Sequence, residues 1–260
     1  MKIDELKTFK QSGEKITCLT AYDSSLAQLF DECSVDVVLV GDSLGNVIQG
    51  GENTLNVSMD DMVYHTQAVA TGVKNALLIA DMSYQSYDSA EQALVNAKRL
   101  VDAGAQMVKF EGGQEHKDTF KILYDNNIPV CGHLGLQPQS LIEMGGYKVQ
   151  GKDETSARRI IEDALALETW GVKTLVLECV PAKLAQQVSQ ALSIPTIGIG
   201  AGVDCDGQVL VSYDMLGINA QHLPRFVKNF LKDNNDIQGA VKAFVSAVKA
   251  QEFPTDRHSY

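Results

Sequence analysis

The chain has 260 residues, 45% of them hydrophobic and 21% charged, with a formal net charge of −11. That length suits one α/β barrel or two small domains, and the balance is that of a folded globular chain rather than a disordered one. The acidic excess, without any basic run, argues against nucleic acids and anionic membranes as partners, and no apolar stretch reaches the roughly 20 residues needed to cross a bilayer.

The first predicted element is a helix over 4–11, placed as a plug for one end of a barrel. Short β-rich apolar runs then occupy 16–22, 35–42, 76–82, 107–111, 129–136, 174–180, 195–201 and 209–213. Most are continuously apolar, the pattern of parallel strands covered on both faces. Helical patterns fill 58–73, 89–103, 115–126, 155–170 and 182–192. The one over 89–103 opens on a capping Ser89 and stops at Gly104, and the one over 155–170 stops at Gly171. The link between the seventh and eighth runs is too short for a full helix, and two more helices are expected at 225–232 and 237–251. Eight β-runs joined by helical crossovers predict a (β/α)8 TIM barrel, with an N-terminal helix and extra C-terminal helices, forming a single catalytic domain over 1–260. A doubly wound open sheet is the rival architecture. The Gly-rich segments 45–51 and 145–151 read as loops on the catalytic side.

The segment Met1-Lys2-Ile3-Asp4-Glu5-Leu6 is charged and has no apolar signal core. The five cysteines, Cys18, Cys33, Cys131, Cys179 and Cys205, form no C-x-x-C, and no close Cys/His pair offers zinc-ligand spacing. Buried free thiols in a reducing, cytoplasmic setting are therefore expected, and a zinc site is not.

Barrel active sites lie at the C-terminal ends of the strands. Asp42-Ser43 ends the second run and Asp81 the third, Lys109 and Glu111 lie on the fourth, His133 on the fifth, and Glu178 closes the sixth. Carboxylates so crowded repel unless a cation joins them, and hard oxygen donors without Cys favour Mg2+ over Zn2+. Asp42 and Asp81 are the candidate metal ligands, with Glu111 more distant, through water. Taken singly, each Asp could equally be a helix cap. Lys109 needs an anionic partner, either a substrate carboxylate or Glu111. Glu178 fits a general base, or a cap of the following helix. His133 reads first as a satisfied core residue. The run Gly198-Ile199-Gly200-Ala201-Gly202 looks like a phosphate loop, although close backbone approach or turn geometry selects glycine equally well.

These segments together resemble the ketopantoate hydroxymethyltransferase family. The matching stretches are TAYD at 20–23, VGDSLGN at 40–46, MVYHT at 62–66, VKFEGG at 108–113 and VCGHLGLQPQ at 130–139. They continue with GGYKVQG at 145–151, DALALE at 163–168, LVLECVP at 175–181, IPTIGIGAG at 194–202 and CDGQVLV at 205–211. The resemblance implies a (β/α)8 barrel assembled as a homodecamer. It implies Mg2+, and transfer of a hydroxymethyl group from 5,10-methylenetetrahydrofolate to 3-methyl-2-oxobutanoate through a Mg-stabilised enolate. By motif, Asp42, Asp81 and Glu111 would serve the metal, Asp42, Ser43, Asp81 and Lys109 the substrate, and Glu178 would accept the proton. The chain departs from the family's pattern at Ser83-Tyr84 and at Tyr213, which bears on the mouth of the site and not on the proposed ligands. Other readings are a phosphoenolpyruvate mutase or isocitrate lyase relative acting without folate, a Schiff-base aldolase using Lys109, and a non-catalytic barrel that binds a small ligand.

Overall fold

A computed structural model describes residues 1–141, 145–219 and 223–260. Eight strands close into a parallel barrel in sequence order, the last hydrogen-bonded to the first. They are β1 (Ile16–Thr20), β2 (Val37–Val40), β3 (Leu77–Asp81), β4 (Met107–Glu111), β5 (Val130–Gly135), β6 (Thr174–Glu178), β7 (Thr196–Ile199) and β8 (Gly207–Leu210). The expected barrel is thus borne out, and the open-sheet alternative falls.

Around the barrel run α2 (Ser24–Glu32), α4 (Met59–Gly72), α5 (Ala90–Asp102), α6 (Lys117–Asp125), α7 (Glu154–Thr169), α8 (Ala182–Ala191) and α10 (Ile237–Lys249), with short turns α3 (Leu44–Val47) and α9 (Ser212–Met215). The caps follow the sequence signals. Ser89 accepts from Gln92 N at the start of α5, and Gly104, at φ 112°, ends it. Ser58 and Asp61 form a reciprocal capping box on α4. The helix α1 (Ile3–Ser12) buries Leu6, and its Lys10 bonds Asp206 at 2.7 Å beside the start of β8, at the barrel end where it was expected.

Alternation along β4 shows how one strand serves two layers. Val108 and Phe110 face the helices, where the Phe110 ring lies 4.4 Å from that of Phe120, which in turn meets Trp170 at 5.9 Å. The intervening Lys109 and Glu111 face the cavity inside the barrel. A buried aromatic layer thus seats the strand whose other face carries charge.

Three expectations are corrected. The segment 225–232 is not a helix: it holds a turn and the start of a 3-10 turn, Leu231–Asp233. Its backbone is taken by other partners, with Phe230 N donating to the distant Met215 O and the nearby Asn234 Nδ2 donating to Phe230 O. The eighth strand begins at Gly207, not 209, and ends before Ser212, whose N–H is claimed by Thr20 Oγ1 at 3.0 Å. The segment 45–51 is not wholly loop, since α3 runs into it. No helix joins β7 to β8, as expected. All five cysteines are free and buried.

Candidate active site

A cavity of about 670 Å³ opens at the C-terminal ends of the strands. Its floor comprises the last inward-facing residues, among them Asp81, Lys109, Glu111, His133 and Glu178, together with Asp42 and Ser43. Every site residue expected from the sequence lies on this one wall-and-floor surface.

Register explains who meets whom. Asp81 is level with Lys109 across β3 and β4, so their side chains emerge together and form an ion pair at 2.8 Å. Lys109 therefore partners Asp81, and not Glu111 as one reading of the sequence had it. Burial opposes the charge on Lys109, but Asp81, then Asp42 and Glu111, hold it above the ordinary lysine range. Glu111 is level with His133, and Glu178 stands two positions further along the next strand. The imidazole consequently sits between two carboxylates, Nδ1 3.5 Å from Glu111 and Nε2 3.2 Å from Glu178. Neither contact is aligned as a good hydrogen bond, so the attraction is chiefly that of a cation between anions. Burial works against the imidazolium, yet the two carboxylates outweigh it and push His133 up to about 9. His133 is thus held toward its imidazolium form by two site carboxylates rather than being a bland core residue.

Asp42 and Ser43 follow β2 after Gly41. A Cβ at Gly41 would lie 2.7 Å from Ser43 Oγ, so glycine there lets the serine fold back over the strand end. Ser43 Oγ shares a 2.8 Å hydrogen bond with the buried Tyr22 hydroxyl. Asp42 N donates to Asp81 Oδ2 at 3.1 Å, tying the two carboxylate-bearing strand ends together. Burial, then the charges of Asp81 and Glu111, pushes Asp42 well above the usual carboxylate range. Asp42 caps no helix, and Glu178 does not cap α8, whose N-cap is Pro181. Glu178 is aimed by its surroundings: Leu136 N donates to its carbonyl at 2.8 Å, and Cys179 turns the chain away with φ 48°.

The carboxylate floor fits a hard divalent cation. Asp42, Asp81, Glu111 and Glu178 are four acids around Lys109 and His133, and the remaining repulsion, which raises Asp42, is what a cation would relieve. Among the described residues no group of three or more His, Cys, Asp or Glu is arranged to hold a metal unaided. Mg2+ takes one or two protein carboxylates and leaves its other positions to water and substrate. Glu111 Oε2 accepts from Gln139 N at 3.0 Å, and Oε1 faces His133 Nδ1 at 3.5 Å.

The Gly-rich run after β7 is explained by packing. A Cβ on Gly200 (φ 62°) would lie 2.8 Å from Phe226 and 3.1 Å from Tyr260, and one on Gly202 2.6 Å from Ala182. Close approach of side chains accounts for these glycines. The rings they admit, with Tyr147, Lys148 and Arg225, line the outer cavity. Sequence reasoning assigned no role to Tyr22, Tyr87 or Gln139, which lie behind the floor and are hydrogen-bonded to Ser43, to Gln139, and to Asp42 and Glu111 respectively, because none carries charge and Gln139 lies beyond its strand. Tyr213 packs edge-on against Tyr22 with ring centroids 5.8 Å apart.

The sequence model of the ketopantoate hydroxymethyltransferase family matches residues 1–256. The chain is 70% identical over 260 residues to the 3-methyl-2-oxobutanoate hydroxymethyltransferase of Ruthia magnifica subsp. Calyptogena magnifica, covering 100% of both chains. It is 54% identical over 259 residues to that of Methylococcus capsulatus, covering 99% of this chain and 96% of the other. Among solved structures it resembles phosphonopyruvate hydrolase in complex with oxalate and Mg2+ (TM-score 0.63, 14% identity, 81% of each chain). It also resembles oxaloacetate acetylhydrolase in complex with 3,3-difluorooxalacetate (TM-score 0.61, 11% identity, 96% of each chain). At such identities the likeness to these two structures is one of fold.

Proposed function

The chain belongs to the ketopantoate hydroxymethyltransferase family, and from that premise we propose how its cavity performs the reaction. The enzyme transfers a hydroxymethyl group to 3-methyl-2-oxobutanoate, giving 2-dehydropantoate, the first step of pantothenate biosynthesis. Its one-carbon donor is 5,10-methylenetetrahydrofolate, and the whole of 1–260 acts as one catalytic domain.

Asp42 and Asp81 would hold Mg2+, with Glu111 acting through water. When bound, the ion supplies Lewis acidity at the 2-oxo group, which makes the neighbouring C3–H acidic. Lys109, anchored on Asp81, and Ser43, anchored on Tyr22, hold the substrate carboxylate. Glu178 takes the C3 proton. The imidazole of His133, 3.2 Å away, orients that carboxylate before the transfer. The carbon left with the electron pair forms its new bond to the methylene carbon of the folate. Water supplies the hydroxyl, and tetrahydrofolate departs. The outer cavity offers aromatic faces at Tyr147 and Tyr260 and cations at Lys148 and Arg225, chemistry that suits a flat, anionic cosubstrate. Assembly as a homodecamer in the cytoplasm belongs to the same reading.

The observation that carries the assignment of roles is the convergence of Asp42, Asp81, Lys109 and Glu178 on one cavity floor. The test is solvent deuterium uptake at C3 of 3-methyl-2-oxobutanoate without folate. We expect uptake by wild type with Mg2+, loss with EDTA, and a drop of at least about 100-fold in Glu178→Gln. Uptake by Glu178→Gln at the wild-type rate would remove Glu178 from the base role. Borohydride trapping of a substrate adduct on Lys109 would replace this chemistry with a Schiff base.

A further inference from the structure

Gln139 lies in the 3-10 turn Pro138–Ser140 after β5, only 4% exposed. Its Nε2 donates to Asp42 Oδ2 at 2.8 Å and to Met82 O at 2.9 Å. Its Oε1 accepts from the Tyr87 hydroxyl at 2.6 Å. Its backbone N–H donates to Glu111 Oε2 at 3.0 Å. Four bonds from one residue therefore join the ends of β2, β3 and β4 to the loop after β5.

The orientation of the amide follows from the chemistry of its neighbours. The Met82 carbonyl can only accept, so the NH2 group must face it, and the second N–H of the amide then reaches Asp42 Oδ2. The hydroxyl of Tyr87 donates to the amide oxygen. Flipping the amide would set its oxygen against the Met82 carbonyl. The ring of Tyr87 is itself fixed by Phe110, 5.1 Å away on the outer face of β4. A residue that merely filled space here would need none of these matched polarities, and Leu or Met would serve better.

We propose that Gln139 is the positioning residue of the cation site, with Tyr87 as its lock. The amide holds Asp42 by one oxygen and leaves the other for the ion. The backbone N–H draws Glu111 back, so that it acts through water rather than by direct ligation. The inference rests on the reading of Asp42 and Asp81 as cation ligands, and extends it to two uncharged residues that touch no reacting atom. Outer partners of this kind commonly govern metal affinity by 10- to 100-fold.

The experiment is calorimetric titration with Mg2+ alone of wild type, Gln139→Met and Tyr87→Phe, with thermal unfolding of each in EDTA. Gln139→Met keeps the volume and removes the side-chain donors; Tyr87→Phe removes one hydroxyl and keeps the ring. We expect Mg2+ affinity to fall by about 10-fold or more in Gln139→Met and by a smaller factor in Tyr87→Phe. At saturating Mg2+ both should recover much of their kcat. A purely structural role would instead lower the EDTA melting temperature and leave the Mg2+ dissociation constant untouched. Wild-type affinity in either variant that folds would overturn the proposal. Absence of Mg2+ binding in wild type would overturn the cation reading of Asp42 and Asp81, and this inference with it, a result distinct from the first.

Discussion

Replacing Lys109 by Met gives a stability change whose size and pH dependence both follow from the geometry. The ammonium lies 2.8 Å from Asp81, with side chains only 6% and 4% exposed. At an effective dielectric constant near 20, losing that attraction would cost about 6 kcal/mol. The cluster has a cheaper recourse, which is to take up a proton on one of its carboxyls. Asp42, already pushed up to about 7 by burial and by its acidic neighbours, is the carboxyl nearest to taking one. Protonation is thus the smaller penalty, and the loss falls in the range of about 3–5 kcal/mol known for breaking one half of a buried ion pair. The sign is fixed: Lys109 lowers Asp42, so without it Asp42 rises further, the variant's native state keeps a proton that wild type releases near pH 7, and the variant becomes relatively less stable as pH rises through that value. Urea unfolding in EDTA should place Lys109→Met about 3–5 kcal/mol below wild type at pH 8. The gap should narrow by about 1 kcal/mol at pH 6, where Asp42 is protonated in both. A difference that stayed constant across this interval would refute the argument, since it would show that no carboxyl of the floor had been left in need of a partner.

Three other perturbations test parts of the frame. Asp31 accepts from the backbone N–H groups of Lys74, Asn75 and Ala76 and from the Asn75 side chain, fastening the loop before β3. Burial raises its pKa, but these four bonds outweigh that and leave it below the usual carboxylate value. Its contribution is therefore present above the unfolded pKa of about 4 and lost as pH falls through the native one. Asp31→Asn should cost about 2 kcal/mol at pH 7 in urea unfolding and almost nothing in strong acid; an equal cost at both would contradict the assignment. A Cβ on Gly72 would sit 2.3 Å from Ser24 O and 2.8 Å from Gln28 N, where α4 crosses α2. Gly72→Ala should lower stability by about 1–3 kcal/mol despite the better helix propensity of Ala, and a gain in melting temperature would show that the helices part freely. Burial pushes the thiols of Cys131 and Cys205 up to about 12, so neither should react with a disulfide reagent at pH 8 until the chain is unfolded, when all five cysteines titrate.

Much of the architecture was legible because a closed parallel barrel writes itself into local pattern. Strands covered on both faces must be apolar throughout, and helices between them must stop where Gly104 and Gly171 stop them. The charged residues that interrupt those runs, Asp81, Lys109, Glu111 and Glu178, were visible as site candidates for the same reason. A charge in a strand with no solvent face has to be used or paired. The misread segments are those where tertiary partners claimed the backbone. Phe226 and Phe230 have helical spacing and are both buried, yet Met215 O takes the N–H of Phe230 and no helix forms there.

The sequence by itself thus determined the fold class, the family, and the set of ionisable residues on the floor, because burial in a parallel barrel constrains residue type position by position. Pairing within that set was decided only by tertiary structure. Whether Lys109 faced Asp81 or Glu111 depended on the register between β3 and β4, which no single strand encodes. The charge on His133 depended on two carboxylates arriving from the strands on either side. The part played by Gln139 depended on a loop folding back over three strand ends. Contacts between elements distant in the chain carry no local signature, and it is those contacts that turn a collection of acids into an ordered site.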